Sequence, residues 1–278
     1  MKSILVPIED HGVVEPILET ALLMGRLFDS YIEGLAITPD YPVVLPVDIA
    51  IGVPSPITPE NRLEMARACR ERFEAFMVRK QVQRAAAGLA GLGFSWRQDG
   101  LMEDAFLGAY GRVFDVTVVG RPDGSNGQTR LSTVEAALFE TGHPVLIAPP
   151  TVPQTLGETV VIAWNRSTET ARAVLGSMPL LEKARRIVVL ELEDWGVPGP
   201  SAAELVRSLR MRGLQTEAMT APDPNNKPGE TILSEATSLG CDLLVKGAYT
   251  QSRLRQMFFG GATSHILNNT TIPVLMAH

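Results

Sequence analysis

Two cysteines, four histidines and 6% aromatic residues in a chain of 278 close off several kinds of chemistry at the outset. Cys69 and Cys241 stand too far apart for a disulfide framework, and no Cys/His cluster has the ligand spacing of a zinc site. The histidines, His11, His143, His265 and His278, are scattered. No stretch approaches the roughly 20 apolar residues of a membrane span. The opening Ile4-Leu5-Val6-Pro7-Ile8 runs into Glu9-Asp10 and is too short for a signal peptide. A cytoplasmic protein without membrane contact is therefore expected. Basic residues are in deficit, with 25 Lys and Arg against 31 Asp and Glu and a formal net charge of -6. No nucleic-acid surface is expected from that balance. Gly-x-x-x-x-Gly-Lys, Gly-x-Ser-x-Gly, His-Glu-x-x-His and Gly-x-Gly-x-x-Gly are all missing, which removes the reactions those motifs serve.

What is present is enough apolar material for a core: 45% hydrophobic residues against 20% charged ones. The length favours two units. Charge is split between them. Residues 1–150 hold 13 basic and 19 acidic side chains, and residues 151–278 hold 12 of each. An anionic ligand would be repelled less by the second part.

An internal repeat supports the same division. Phe114-Asp115-Val116-Thr117-Val118-Val119-Gly120 matches Cys241-Asp242-Leu243-Leu244-Val245-Lys246-Gly247. Pro144-Val145-Leu146-Ile147-Ala148 matches Pro273-Val274-Leu275-Met276-Ala277, and the first apolar run has a counterpart in Val160-Val161-Ile162-Ala163-Trp164. Three matched runs in one order imply a duplicated unit, 1–150 and 151–278, joined at Pro149-Pro150-Thr151-Val152-Pro153.

The apolar runs do not alternate with polar residues, so they read as strands buried on both faces of a parallel sheet. Strands are expected at 3–8, 31–37, 93–97, 115–119 and 144–148, and again at 159–164, 186–191, 215–219, 242–246 and 273–277. Helices fall between them. Thr58-Pro59 opens a long one, Ser167 caps one that runs to Met178 before Pro179, and Ser201-Ala202-Ala203-Glu204 has capping-box form. Further helices fit Glu230 to Leu239, before Gly240, and a last segment from Gly261 that carries Ile266 and Leu267. The alternation predicts an α/β protein of two tandem doubly wound, Rossmann-like domains, each a five-stranded parallel sheet flanked by helices.

With these residues in view the chain resembles the universal stress protein family in its tandem two-domain form. The likeness rests on Asp242-Leu243-Leu244-Val245-Lys246-Gly247, the stretch from Gly247 to Arg255, Gly260-Gly261-Ala262-Thr263, the closing Pro273-Val274-Leu275 and the second start Ala163-Trp164-Asn165-Arg166-Ser167. It implies that the two domains pair within the chain through last strands such as 144–148 and 273–277, and it allows a further pairing of whole chains into a homodimer. It also implies action in stress survival through a protein partner or small ligand, with no reaction common to the family. Some members bind ATP or AMP through Gly-x-x-Gly, nine residues, then Gly-Ser/Thr.

Carried onto this chain, the resemblance places a nucleotide site in the C-terminal domain at Ala163, Trp164, Asn165, Gly247, Thr250, Arg253, Gly260, Gly261, Ala262 and Thr263. Such a site has physical sense, because ligands of open α/β sheets lie beyond strand C-termini where strand order reverses, and a helix N-terminus meets a phosphate there. Half of the pattern is altered. Thr250 stands for the second glycine, Gly261 for the Ser/Thr, and Asn165 for a common acidic residue. In the N-terminal domain Asp123 replaces the second glycine, the nine-residue spacing lands on Thr133, and Glu9 and Asp10 add negative charge. No nucleotide is expected there, and no cofactor is certain anywhere; the balance favours a binding protein over an enzyme. Trp164 reads as core at the domain interface, with stacking on a base as its sharper alternative. Cys69 and Cys241 read as buried and unreactive, and His265 as a surface or cap residue.

Overall fold

The computed structural model describes residues 1–10, 14–38, 58–85, 91–97, 102–122, 129–248 and 261–278. In the first half these form β1 (Ser3–Ile8), α1 (Glu15–Phe28), β2 (Tyr31–Ala36), α2 (Pro59–Arg79), β3 (Gln83–Arg84), β4 (Gly93–Trp96), α3 (Asp104–Tyr110), β5 (Val116–Gly120), α4 (Leu131–Glu140) and β6 (Val145–Ala148). In the second half they form β7 (Thr159–Ala163), α5 (Thr168–Leu181), β8 (Arg186–Leu192), α6 (Ala202–Arg210), β9 (Thr216–Ala221), α7 (Pro228–Ser238), β10 (Leu243–Gly247), α8 (Ala262–Asn269) and β11 (Val274–Ala277).

All of these strands join one sheet in the order β3-β4-β2-β1-β5-β6-β11-β10-β7-β8-β9. Every pairing is parallel except the central one, β6 with β11, where Ile147, Leu146 and Val145 face Val274, Leu275 and Met276. That antiparallel seam joins the two halves through the last strands, as expected. Strand order reverses beside β1 and again beside β7, and these are the two positions where a ligand crevice opens in this kind of sheet.

The uninterrupted apolar runs are explained by burial on both faces. Ile4, Val6 and Ile8 pack with Ile17, Leu18 and Leu22 of α1, while Leu5 shares the opposite layer with Val134 and Leu138 of α4. In the second half Val160 and Ile162 pack with Ala173 and Val174 of α5, and Val161 lies with Ile232 of α7 and Ile266 of α8. Each large side chain withdrawn from water in this way contributes up to about 1.5–3 kcal/mol.

The local signals were mostly met. Thr58 accepts the N–H of Asn61 at the head of α2, Ser167 accepts that of Thr170, and Ser201 and Glu204 close a reciprocal box at α6. Two expectations need correction. The helix after Ser167 does not stop before Pro179 but carries it inside its last turn, where the missing N–H concerns only the carbonyl of Leu175, on the exposed side. The first half has six strands rather than five. After α2, Gln81 takes a left-handed turn (φ 59°), and Gln83–Arg84 pairs alongside β4 although both side chains are exposed and carry no strand pattern. Among the described residues no helix is long and apolar enough to cross a membrane.

Candidate ligand crevices

The two halves can be compared position by position. Ile4 faces Val116 as Val160 faces Leu243, so Glu9 and Asn165 occupy equivalent places just past their strands. Their side chains do different things.

Glu9 is 8% exposed and reaches the head of α4. One carboxylate oxygen accepts the main-chain N–H of Arg130 at 3.1 Å and lies 3.4 Å from the Arg130 Nε. The other meets the Thr133 hydroxyl, which also lies 2.8 Å from Asp104. Asp104 in turn takes both terminal nitrogens of Arg130 at 3.0 Å. Burial pushes the Glu9 carboxyl above the ordinary carboxylate range, against the opposing pull of the Arg130 guanidinium. A helix N-terminus is where an exogenous anion would be held, and here the chain supplies that anion itself.

Asn165 turns back onto its own helix. Its Oδ1 accepts the N–H of Ser167 at 3.2 Å and the hydroxyl of Thr170. The next residue, Arg166, is left-handed (φ 67°) and its Nε is bonded at 2.6 Å to Glu191, whose other oxygen accepts the N–H of Ala202 at the head of α6. Trp164 is 4% exposed and gives its indole N–H to the carbonyl of Pro200 at 2.8 Å. Its expected place at the domain interface is therefore corrected. It packs with the segment entering α6, two strands from the seam, and its only indole donor is already engaged.

Gly247 ends β10 beneath the first turn of α5. A Cβ there would overlap the N–H of Thr170 and lie 2.7 Å from its hydroxyl. The glycine is required by strand-to-helix packing whatever the ligand. Ala163 is fully buried at the end of β7, opposite Lys246. Gly261 is the N-cap of α8, with no atom of the described residues within 4 Å of its Cβ position, and Ala262 and Thr263 form the first turn. Among the described residues nothing accepts the N–H groups of Ala262, Thr263 or Ser264. Thr250, Arg253 and Gly260 lie outside the described residues, as do Arg255 and Asp123.

One side chain of this crevice had not been singled out in the sequence. Lys246, 3% exposed, gives Nζ–H bonds to the Thr263 hydroxyl at 2.8 Å and the Gly247 carbonyl at 2.7 Å. Burial alone pushes its ammonium down to about 8. Both thiols are buried, and burial pushes each up to about 12, which keeps them protonated and weakly nucleophilic. His265 packs its Cβ against Gly229 of α7 and takes no part in the crevice contacts described.

Residues 225–278, from the entry to α7 through β11, match the universal stress protein family. The likeness of fold extends further. A universal stress protein from Archaeoglobus fulgidus DSM 4304 superposes with a TM-score of 0.73 at 14% identity, over 99% of this chain and 95% of that one. A protein of unknown function from Pseudomonas aeruginosa PAO1 does so with a TM-score of 0.58 at 15% identity, over 100% and 92%. These identities establish the shared fold and leave residue roles to the geometry. No curated protein matches the chain.

Proposed function

We propose that this chain is a stress-response binding protein without a catalytic step of its own, built from units 1–150 and 151–278, in which the C-terminal unit alone takes a small ligand. The reading is supported above all by Glu9. Its carboxylate fills the anion position at the head of α4, whereas the equivalent Asn165 is uncharged and turns back onto α5, and among the described residues no carboxylate bonds to the head of α8. The absence of a reactive thiol fits a binding role, since Cys69 and Cys241 are both buried with raised pKa values.

A second reading, ATP or AMP in the C-terminal unit, is favoured by the N–H groups around Thr263, which have no acceptor among the described residues. Chromatography of the supernatant from freshly purified, denatured protein separates the two. The first reading expects no nucleotide near stoichiometric amount, and only a small thermal shift with millimolar ATP. Nucleotide at one per chain would overturn it in favour of the second. Two nucleotides per chain would overturn both, because the N-terminal crevice would then also be open.

A further inference from the structure

The C-terminal crevice contains a positive charge that the fold does not need. By the repeat, Lys246 corresponds to Val119, an apolar residue fully buried in the equivalent strand. Burying an ammonium is costly unless it is paired, and apolar replacement of buried charge is often neutral or stabilising. Lys246 nevertheless occupies the last part of β10, flanked in register by Ala163 on one side and Met276 on the other. Neither neighbour offers a counter-charge. The titratable groups on the surrounding elements are Glu169 and Arg172 on α5, whose first turn lies against Gly247 on the other face of the sheet, Glu230 and Glu235 on α7, His265 on α8 and His278 after β11. None forms an ion pair with it. After Asp242 the sequence holds no Asp or Glu through residue 278, so the intervening segment brings no carboxylate either and adds Arg253 and Arg255.

The hydrogen bonds show how the charge is held ready. An ammonium has three donors, and two are spent on neutral oxygens, those of Gly247 and Thr263. Among the described residues one N–H is left over. The Thr263 hydroxyl accepts from Lys246, so its own proton remains free to donate. The N–H groups of Ala262, Thr263 and Ser264 lack acceptors among the described residues, at the positive end of the α8 dipole. Every one of these groups is a donor, and none is an acceptor in search of a cation.

We infer that Lys246 is the charged anchor for the acidic group of a small-molecule ligand, a phosphate or carboxylate held jointly by its ammonium, the Thr263 hydroxyl and the head of α8. This rests on the reading that the C-terminal unit is the ligand site, and it names the ligand class: a small anion, recognised by its charge with or without an attached base.

The test is calorimetric titration of the full chain with inorganic pyrophosphate, citrate, AMP and neutral adenosine, on the native protein and on Lys246→Met. Native protein is expected to bind at least one anion, and Lys246→Met to weaken it at least tenfold while keeping its circular dichroism spectrum and an equal or higher unfolding midpoint. At pH 8.5 anion binding should take up protons, seen as a dependence of the heat on buffer. If Lys246→Met does not fold, Lys246→Gln serves with the same expectation. Equal anion affinity in the folded variant overturns the anchor. Binding of adenosine but of no anion overturns the anchor and leaves the crevice reading standing. Binding of none of the four overturns both.

Discussion

The carboxylate of Glu9 accepts the main-chain N–H of Arg130 at 3.1 Å, a contact spanning 121 residues of sequence that seats an internal anion at the head of α4. The same crevice in the second half has a buried lysine near the head of its helix instead. The first half is thus self-complementary at this place, and the second holds a buried ammonium with no carboxylate partner among the described residues.

Replacing Glu9 by Gln tests the first half. Because the folded carboxyl titrates above its unfolded value, its favourable contribution is complete below about pH 4.5 and is lost as pH rises through the folded value. The native protein should therefore gain on Glu9→Gln as pH falls from 7 towards 4.5, measured as a difference of urea unfolding free energies. A constant difference across that range would contradict the burial of a charged Glu9.

Lys246→Met should show the opposite window. A lysine at about 8 when folded and 10.5 when unfolded destabilises the fold fully below pH 8, and the penalty disappears as pH approaches 10.5. The shift corresponds to roughly 3 kcal/mol at most. The stability advantage of the variant is expected to be largest at pH 7 and to shrink through pH 8–10, by denaturant titration in both proteins. An advantage that does not change with pH would place the ammonium in contact with water.

Gly247→Ala should be costly and Gly261→Ala cheap. The first drives a methyl into the backbone of Thr170, and overpacking of this kind costs about 1–3 kcal/mol. The second adds a methyl that meets no atom of the described residues within 4 Å, at an ordinary φ of -84°. Unfolding midpoints of the two variants give the comparison directly, and equal losses would mean that α5 does not bear on β10 as described.

Trp164→Phe separates packing from ligand stacking. Loss of the indole bond to Pro200 should cost about 0.5–1.5 kcal/mol. Ligand affinity should be unchanged, because the ring belongs to the core on the α6 side. A tenfold loss of affinity without loss of stability would restore the stacking role.

Much of the fold was legible because most of its strands are buried on both faces, and such strands write themselves as unbroken apolar runs. β3 was not legible, since two exposed residues on an edge need no pattern and are held by the register of β4 alone. Pro179 does not end α5 because its lost hydrogen bond concerns the solvent side of the helix. In the crevices, the glycines and Thr263 are named only through the family resemblance, and the role of Glu9 is not legible even so. It depends on the β1–β5 register bringing the chain past Ile8 beside α4. Lys246 did leave a signal, a lone charge inside an apolar strand followed by an acid-free tail, which has meaning only once its burial is known.

The antiparallel seam has a consequence for how the chain is made. β6 leaves the ribosome long before β11, and about ten seconds of synthesis separate the two at ordinary elongation rates. During that interval Val145–Ala148, apolar on both faces and paired on one side with β5, has no partner along its outer edge and is open to any other nascent chain. A chain interrupted before Val274 would lose only its last strand, yet the damage would surface in the other half, as clumping through β6.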